Sequence, residues 1–172
     1  MIKLIGALLI LAAGGLIGFY QAGRYAARPH ELRQLCNALQ RLETEIGYGH
    51  TPLPTALRRT AEAAIPPVSE LFGAAADGLA REDGPTFREC WEAAVRDRWE
   101  RTAMGPAEQA VLLRLGTALG ISDREDQIKH LKLALVQLKA EEETARDEQA
   151  RYEKMWKSLG LLSAALVVIL MI

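Results

Sequence analysis

The chain opens with the apolar stretch LIGALLILAAGGLIGFY at residues 4–20 and closes with LGLLSAALVVILMI at residues 159–172. Neither stretch contains a charged side chain, whereas the section between them holds nearly all of the charge. A helix that crosses the hydrocarbon core of a bilayer needs roughly 17–25 mostly apolar residues. The first stretch reaches that length, and the second reaches it when counted from Met155. We therefore predict a polar middle domain held at one membrane face by two hydrophobic ends.

Each end also has an alternative interpretation. A charged start followed by an apolar run is typical of a cleaved secretory signal, but residues 21–28 carry two arginines where small neutral residues are expected. The second stretch alone covers roughly 21 Å of a core about 30 Å thick, so shallow or partner-assisted insertion is the alternative to full spanning. Trp156 and Lys157 precede it, as interface anchors do.

Lysine and arginine near the two ends indicate the orientation. Such residues collect on the cytoplasmic side of membrane spans, and here they flank the side of each stretch that faces the middle section. They are Arg24, Arg28, Arg33, Arg151, Lys154 and Lys157. The sequence therefore predicts a transmembrane segment at residues 1–27, a cytoplasmic helical domain at 28–154 and a second transmembrane segment at 155–172, with membrane lipid as a partner.

The composition of the middle section argues against several functions. The formal net charge is -1, so no overall field attracts nucleic acid. Cys36 and Cys90 form no CxxC pattern and the histidines are far apart, so we expect no metal site and two small buried thiols. A disulfide would require an oxidising compartment. Because no GxxxxGK[ST], GxSxG or HExxH motif is present, we expect no cofactor and no catalytic residue, and predict that the chain is not an enzyme.

Apolar spacing predicts an all-α middle domain, since no stretch alternates for long enough to form a strand. The first polar helix should begin near Pro29, continue from the first span with a bend at Arg28-Pro29, and end near Gly47. Further helices should follow the breakers and caps at Pro52, Pro66-Pro67, Thr86 and Gly105-Pro106. The predicted fold is one bundle of about six helices, flanked by N- and C-terminal transmembrane helices.

The last helix is the longest, and its role divides into two halves. An S-x-x-E capping box at Ser122 and Glu125 opens it, and no Pro or Gly interrupts residues 123–159. Its first half carries an apolar stripe that should pack on the domain. Its second half, residues 141–154, is rich in charge. That half is either a solvated stalk or one member of a coiled pair with the first helix.

Short motifs in a fixed order give the chain a family resemblance. The motifs are Ile2-Lys3-Leu4-Ile5-Gly6-Ala7, Arg28-Pro29, Leu42-Glu43-Thr44-Glu45-Ile46 with Tyr48 and Thr51-Pro52-Leu53, Leu119-Gly120-Ile121-Ser122-Asp123-Arg124-Glu125 with Gln127-Ile128-Lys129-His130, and Tyr152-Glu153-Lys154-Met155 with Ser158-Leu159-Gly160. With these motifs and both apolar ends, the chain resembles the stage III sporulation protein AB family over nearly its whole length.

The resemblance implies a non-enzymatic membrane platform of endospore formation. Members look like the cytoplasmic domain of the platform proteins of type II secretion and type IV pilus machines. They act with a stage III sporulation protein AA-type ATPase and other components of a channel between mother cell and forespore. The implied location is the mother-cell side of the outer forespore membrane. Secretion platform proteins usually carry two copies of the helical domain, whereas this chain has one, so homo-oligomerisation stays open.

The alternative function is a secreted or membrane-tethered helical adaptor with no ATPase partner. A pore lined by the two spans lacks the polar groups that channel linings need, and a hydrolase lacks a candidate acid or base. For partner binding, the candidate residues are Glu43, Glu45, Tyr48, Asp123, Arg124, Glu125 and Lys129. Their alternative role is to hold the helices together by pairing with each other.

Overall fold

A computed structural model describes the backbone of residues 2–49, 51–81, 85–120 and 123–171, and their side chains except at 2–22, 24, 25, 153 and 156–171. These ranges contain six α-helices and no strand, which confirms the predicted all-α bundle. The helices are α1 (Ile2–Gly47), α2 (Leu53–Ala63), α3 (Val68–Leu79), α4 (Phe87–Trp99), α5 (Pro106–Leu119) and α6 (Arg124–Met171). Each helix packs against the next in sequence, and α6 closes the bundle by packing against α1.

The first helix is one continuous helix of 46 residues that passes through Pro29. The expected continuity of the first polar helix with the first apolar stretch is therefore confirmed, and no new helix begins near Pro29. A proline inside a helix removes a backbone hydrogen bond. Here Pro29 is buried, and the adjacent Arg28 is tied to α5 and α6 by ion pairs. Tertiary contacts of this kind override local preference. The helix ends at Gly47, as predicted.

α1 and α6 run antiparallel and form the most extensive interface of the bundle. The buried positions of α6 continue into its charged half, where Leu138, Glu142 and Ala145 recur at helical spacing. Arg33 Nε of α1 lies 3.2 Å from Glu142 Oε1. The free-stalk interpretation is therefore wrong for this part of α6, and the paired-helix interpretation is confirmed. The buried face of α6 therefore extends into its charged half. One of the buried positions there is occupied by an acid, Glu142, with arginines beside it.

The core of the bundle is centred on Trp91 of α4, which is fully buried. Its Nε1 donates a hydrogen bond to the carbonyl oxygen of Leu112 at 2.7 Å. Phe72 meets the indole edge-on with ring centroids 5.4 Å apart, and Phe87 stacks on it at 5.8 Å. Gly116 of α5 faces the same ring, where a Cβ atom would lie 2.2 Å from Cδ1 of Trp91. This close approach of α4 and α5 therefore requires glycine.

Two local predictions are confirmed, one for the cap at the start of α4 and one for the two cysteines. Thr86 caps the helix, because its Oγ1 accepts from the Glu89 N–H at 3.4 Å while the Glu89 carboxylate accepts from the Thr86 N–H at 2.8 Å. Cys90 and Cys36 are buried free thiols. Burial, followed by the nearby negative charge of Glu142, raises the pKa of Cys36 to about 11.

The structure describes few of the side chains in the two predicted membrane spans. Among the described residues, no helix combines the length and the apolar character that crossing a membrane requires. The side chains of the apolar stretches at 4–20 and 159–172 are not among those that the structure describes. The division into segments 1–27, 28–154 and 155–172 therefore stays a prediction.

Candidate functional site

The predicted partner-binding residues lie together at one end of the α1–α6 pair. This end, which we call the tip, consists of Glu43, Glu45, Tyr48, Asp123, Arg124, Glu125 and Lys129. Because the two helices are antiparallel, the end of α1 meets the start of α6. Arg124 joins them across 78 residues of sequence, since its Nε donates to the carbonyl oxygen of Ile46 at 2.7 Å. Its Nη2 also donates to the carbonyl oxygen of Gly47.

Arg124 therefore has a structural task at the tip. The last carbonyl groups of a helix lack partners within the helix and carry the negative end of its dipole. A guanidinium that donates to two of them satisfies both requirements. The turn beyond α1 is equally constrained, because a Cβ atom on Gly49 would lie 2.7 Å from the carbonyl oxygen of Glu45. Only glycine fits there without a shift of the backbone, so the position of the neighbouring Tyr48 is well defined.

Asp123 caps the start of α6. Its Oδ1 accepts a hydrogen bond from the backbone N–H of Asp126 at 2.9 Å, which satisfies one of the free donors of the first turn. The helix begins at Arg124. Ser122, the predicted capping residue, lies outside the described residues. Glu125, the other member of the predicted box, is exposed.

Glu45 is held by two partners from the α2 side of the tip. Its Oε2 accepts from Thr51 Oγ1 at 2.8 Å and from Arg59 Nη1 at 3.0 Å. The hydrogen bond from Thr51, and then the contact with Arg59, hold the pKa of Glu45 below its ordinary value. Glu45 is therefore ionised at neutral pH and links α1 to α2, a role that sequence spacing alone did not indicate.

The remaining charges of the tip also have nearby partners. Glu43 Oε1 lies 3.8 Å from Lys132 Nζ and so connects α1 to α6. Lys129 Nζ lies 2.8 Å from Asp126 Oδ1 in the same helix, and this contact raises the pKa of Lys129. Much of the tip charge thus meets residues outside the predicted set. Lys132 and Lys129 are largely exposed, whereas Glu43 is half-buried, so a partner can compete for these pairs at little cost in stability.

Tyr48 is the most exposed large side chain of the tip, with 87% of its surface accessible. Aromatic side chains are enriched at the energetic centres of protein interfaces, because they bury a large area with few rotatable bonds. Tyr48 stands directly after α1, beside the carbonyl groups that Arg124 binds. The tip therefore combines one exposed aromatic ring with a rim of both charge signs, which suits binding of a protein partner.

A second charged cluster lies on the α1–α6 pair nearer to the two apolar stretches. We call it the proximal cluster, and it consists of Arg28, Glu108, Glu141 and Glu148. Arg28 Nη2 lies 2.7 Å from Oε1 of the fully buried Glu108, and Nη1 lies 2.8 Å from Glu148 Oε2. Arg28 Nη2 also lies 3.4 Å from Glu141 Oε2. One guanidinium therefore ties α1 to both α5 and α6.

The electrostatics of the proximal cluster keep Arg28 charged. Burial lowers the pKa of Arg28, but the hydrogen bond to Glu108 and the surrounding carboxylates together raise it above its ordinary value. The second oxygen of Glu108 accepts from the backbone N–H of Gly105 at 2.8 Å, so this buried acid also caps α5. Sequence reasoning used Arg28 only as a membrane-flanking cation and a family motif, and missed this structural role. The only signal in the sequence was Arg28-Pro29 as a family motif.

A groove with a volume of about 620 Å³ lies between α3 and α4. Its walls carry both acids and arginines, including Asp77, Arg81 and Arg98, and Cys90 lies in its floor. Burial, and then the charge of Glu89, raise the pKa of Cys90, which makes the thiol a poor nucleophile.

Within the described part of the chain, no group of three His, Cys, Asp or Glu side chains could hold a metal ion.

Comparisons with known proteins agree with the resemblance seen in the motifs. The sequence matches the family model described as "Stage III sporulation protein AB" over residues 3–172. It is 44% identical over 171 residues to stage III sporulation protein AB of Bacillus subtilis (strain 168), which is 99% of each chain. A solved structure of stage III sporulation protein AB, 42% identical in sequence, superposes with a TM-score of 0.68 and covers 73% of this chain and 98% of its own. The chain therefore belongs to the stage III sporulation protein AB family.

Proposed function

We propose that the chain is a non-enzymatic membrane platform that docks a cytoplasmic ATPase of the stage III sporulation protein AA type, and that the tip is the docking surface. Membership of a sporulation protein family supports the cellular setting. One observation carries the proposal: the antiparallel α1–α6 pair directs both apolar stretches toward one end and gathers the candidate binding residues at the other.

The lengths of the two helices support a common membrane face. Arg28 and Glu148 are in contact at 2.8 Å, which fixes the register of α1 against α6. From this contact, Tyr20 is about 12 Å along α1 and Met155 is about 11 Å along α6, at about 1.5 Å per residue. Both hydrophobic segments therefore begin at nearly the same height. Two helices anchored in one bilayer need this match.

The same arithmetic gives the reach of the platform. Gly47 is about 40 Å along α1 from Tyr20, so the tip stands well clear of the headgroup region. The arginines and lysines beside both apolar stretches favour a cytoplasmic bundle of residues 28–154 between anchors at 1–27 and 155–172. In a sporulating cell, this orientation is that of a protein on the mother-cell side of the outer forespore membrane, next to other channel components. An ATPase is accessible there.

The docking proposal is tested by measuring the affinity of the purified cognate ATPase for the full chain in lipid nanodiscs, with and without nucleotide. Replacing two exposed tip residues together, Tyr48→Ala with Glu125→Arg, should weaken binding about tenfold or more. Glu62→Arg is the matched control, because Glu62 is an exposed acid on α2 away from the tip. An intact chain that fails to bind the ATPase contradicts the platform function, and unchanged affinity of the tip variant contradicts the assignment of the tip.

Membrane attachment is tested separately. We expect the full chain to stay with the membrane fraction after washing with sodium carbonate. A single cysteine introduced at Glu62, with Cys36 and Cys90 replaced by serine, should react with an impermeant maleimide only after the cells are opened. Release by carbonate, or labelling of intact cells, would contradict two-span anchoring with a cytoplasmic bundle.

A further inference from the structure

The outer surface of α6 beside the tip carries two exposed aliphatic side chains. Leu133 is 52% and Val136 67% exposed, and neither belongs to the buried stripe of this helix. Scattered exposed aliphatic residues are common on protein surfaces, so these two are informative only in their setting. That setting is basic, since residues 127–140 contain three lysines and no aspartate or glutamate.

The exposed aliphatic residues lie on a single face of α6. Lys129, Leu133, Val136 and Ala140 recur at spacings of three and four residues, and all four are exposed. We call this set the outer strip. It points away from the buried stripe, which includes the fully buried Leu131. The outer strip begins inside the tip, because Lys129 belongs to both surfaces.

Cations flank the outer strip on both sides. On the α1 side are Lys132, which is near Glu43 of α1, and the exposed Lys139. On the α5 side, the cation is Arg114, which lines a shallow groove together with Leu133. Neither Arg114 nor Lys139 forms an ion pair with any residue that the structure describes. The strip is thus a narrow apolar line between two cationic edges.

We propose that the docked ATPase seats an acidic amphipathic helix on the outer strip. Its apolar residues cover Leu133 and Val136, and its acidic residues meet Lys139 and Arg114 at the two edges. An amphipathic helix laid against an apolar line is a recurring mode of peptide recognition, and complementary charge sets its orientation and its rate of association. The inference rests on the proposed function, since it names the contact that the ATPase makes beside the tip.

The charges and the geometry disfavour two other occupants. A second copy of this chain anchored in the same membrane has a parallel α6, so the lysines of one strip face the lysines of the other and repel. A lipid surface is attractive to lysines, but Val136 is about 29 Å along α6 from Met155. A strip at that height does not reach the bilayer that holds the anchors. An acidic protein segment is the occupant that satisfies both the apolar line and its edges.

The test measures binding of the cognate ATPase to the full chain in nanodiscs. The double variant Leu133→Gln with Val136→Gln should lower the affinity about tenfold or more. Ile65→Gln is its matched control, because Ile65 is also exposed, at 56%, but lies in the α2–α3 connection. Lys139→Glu should weaken binding and reduce its salt dependence, whereas Arg81→Glu, at an exposed cation outside the strip, should change neither.

A crosslinking measurement keeps the test independent of any effect on folding. A photoreactive residue at Val136 should crosslink to the ATPase, and the same residue at Ile65 should not. If the unaltered chain binds the ATPase but the strip variants bind equally well, the inference is overturned and the proposed function stands. If the unaltered chain does not bind, both are overturned. The strip variants could instead lose binding to added phosphatidylglycerol vesicles, or lose self-association, while keeping their affinity for the ATPase. The strip would then bind lipid or a second copy, and the inference would be overturned.

Discussion

The two ends of the α1–α6 pair each depend on an arginine, but the surroundings of these arginines differ. Arg28 has only 18% of its side chain exposed and meets the fully buried Glu108. Arg124 donates to main-chain carbonyl groups beside the exposed Tyr48. A buried ion pair fixes one arrangement, because breaking it leaves an uncompensated charge. An arginine bound to helix carbonyls shapes a surface while leaving its side chains accessible, so we expect rigidity at the proximal cluster and recognition at the tip.

The largest expected effect is at the proximal cluster. Arg28→Ala leaves Glu108 buried without its cation and should lower the free energy of unfolding by about 3–5 kcal/mol. The measurement is urea unfolding of the full chain in detergent, followed by circular dichroism. Arg58→Ala is the control, since Arg58 pairs with Asp77 at the surface. The loss for an exposed pair is about 1 kcal/mol or less.

A second change sharpens the assignment of Arg28. In the Arg28→Ala background, Glu108→Gln removes the stranded charge and should recover part of the lost stability, while Glu108→Gln alone is destabilising. The double-mutant cycle therefore gives a coupling between the two residues. If Arg28→Ala costs no more than Arg58→Ala, the contrast between the two ends of the helix pair is wrong.

A smaller effect is expected at the tip. Arg124→Ala removes hydrogen bonds from a charged donor to two carbonyl groups in a partly exposed site, and should cost about 1–2 kcal/mol. Arg124→Lys should recover part of this loss, since lysine keeps the charge but not the planar fork. Unfolding in urea is again the measurement. A loss as large as that of Arg28→Ala would make the tip as much a part of the structural framework as the proximal cluster.

The helices were predictable because their signals are local. Leu32, Leu35 and Leu39 recur at three- and four-residue spacing, and all three are fully buried. The cap at Thr86 was predictable for the same reason, since Thr86 and Glu89 are three residues apart. The position of the tip was likewise implied once the last helix was paired with the first, because antiparallel pairing brings the end of one to the start of the other.

The contacts that decide the site could not be read in this way. Arg28 and Glu108 are 80 residues apart, and a charged residue on a helix usually indicates a solvated face. The choice between stalk and paired helix turned on Glu142, an acid at a buried position. The outer strip was missed for the opposite reason, because Leu133 and Val136 look like core residues in sequence. Burial depends on which helices meet, and spacing within one helix does not contain that information.

The thiol of Cys36 lies on α1 between the two ends of the helix pair. Its rate of alkylation therefore shows whether one end opens more readily than the other. With a pKa of about 11, it should be alkylated very slowly by iodoacetamide at pH 8 in the folded chain. Arg28→Ala should speed the reaction by loosening the proximal end, whereas Arg124→Ala should have a smaller effect. The rate at Cys90, in the α3–α4 groove, is the internal control and should rise less. Equal acceleration at both thiols would indicate general destabilisation instead of local opening.

The smallest expected effect is electrostatic and confined to the tip. The hydrogen bond and charge of Lys129 hold the pKa of Asp126 below its ordinary value of 3.8. A carboxyl group with a lowered folded pKa contributes stability above its unfolded pKa, and that contribution is lost as the pH falls from 3.8 through the folded value. Lys129→Ala should return the pKa of Asp126 toward 3.8, as measured by carbon NMR titration. Glu89, whose pKa is lowered by the Thr86 cap, is the control and should not shift.

Because both partners of this pair are exposed, Lys129→Ala should lower the unfolding free energy at pH 7 only slightly, and far less than Arg28→Ala does. The variant therefore separates the two ends most sharply: a pKa moves at the tip with little change in stability, whereas removal of the proximal arginine lowers stability strongly. An unshifted Asp126 would mean that the pair does not form in solution. A marked loss of stability would mean that tip charges are structural, and a partner could not then compete for them without opening the bundle.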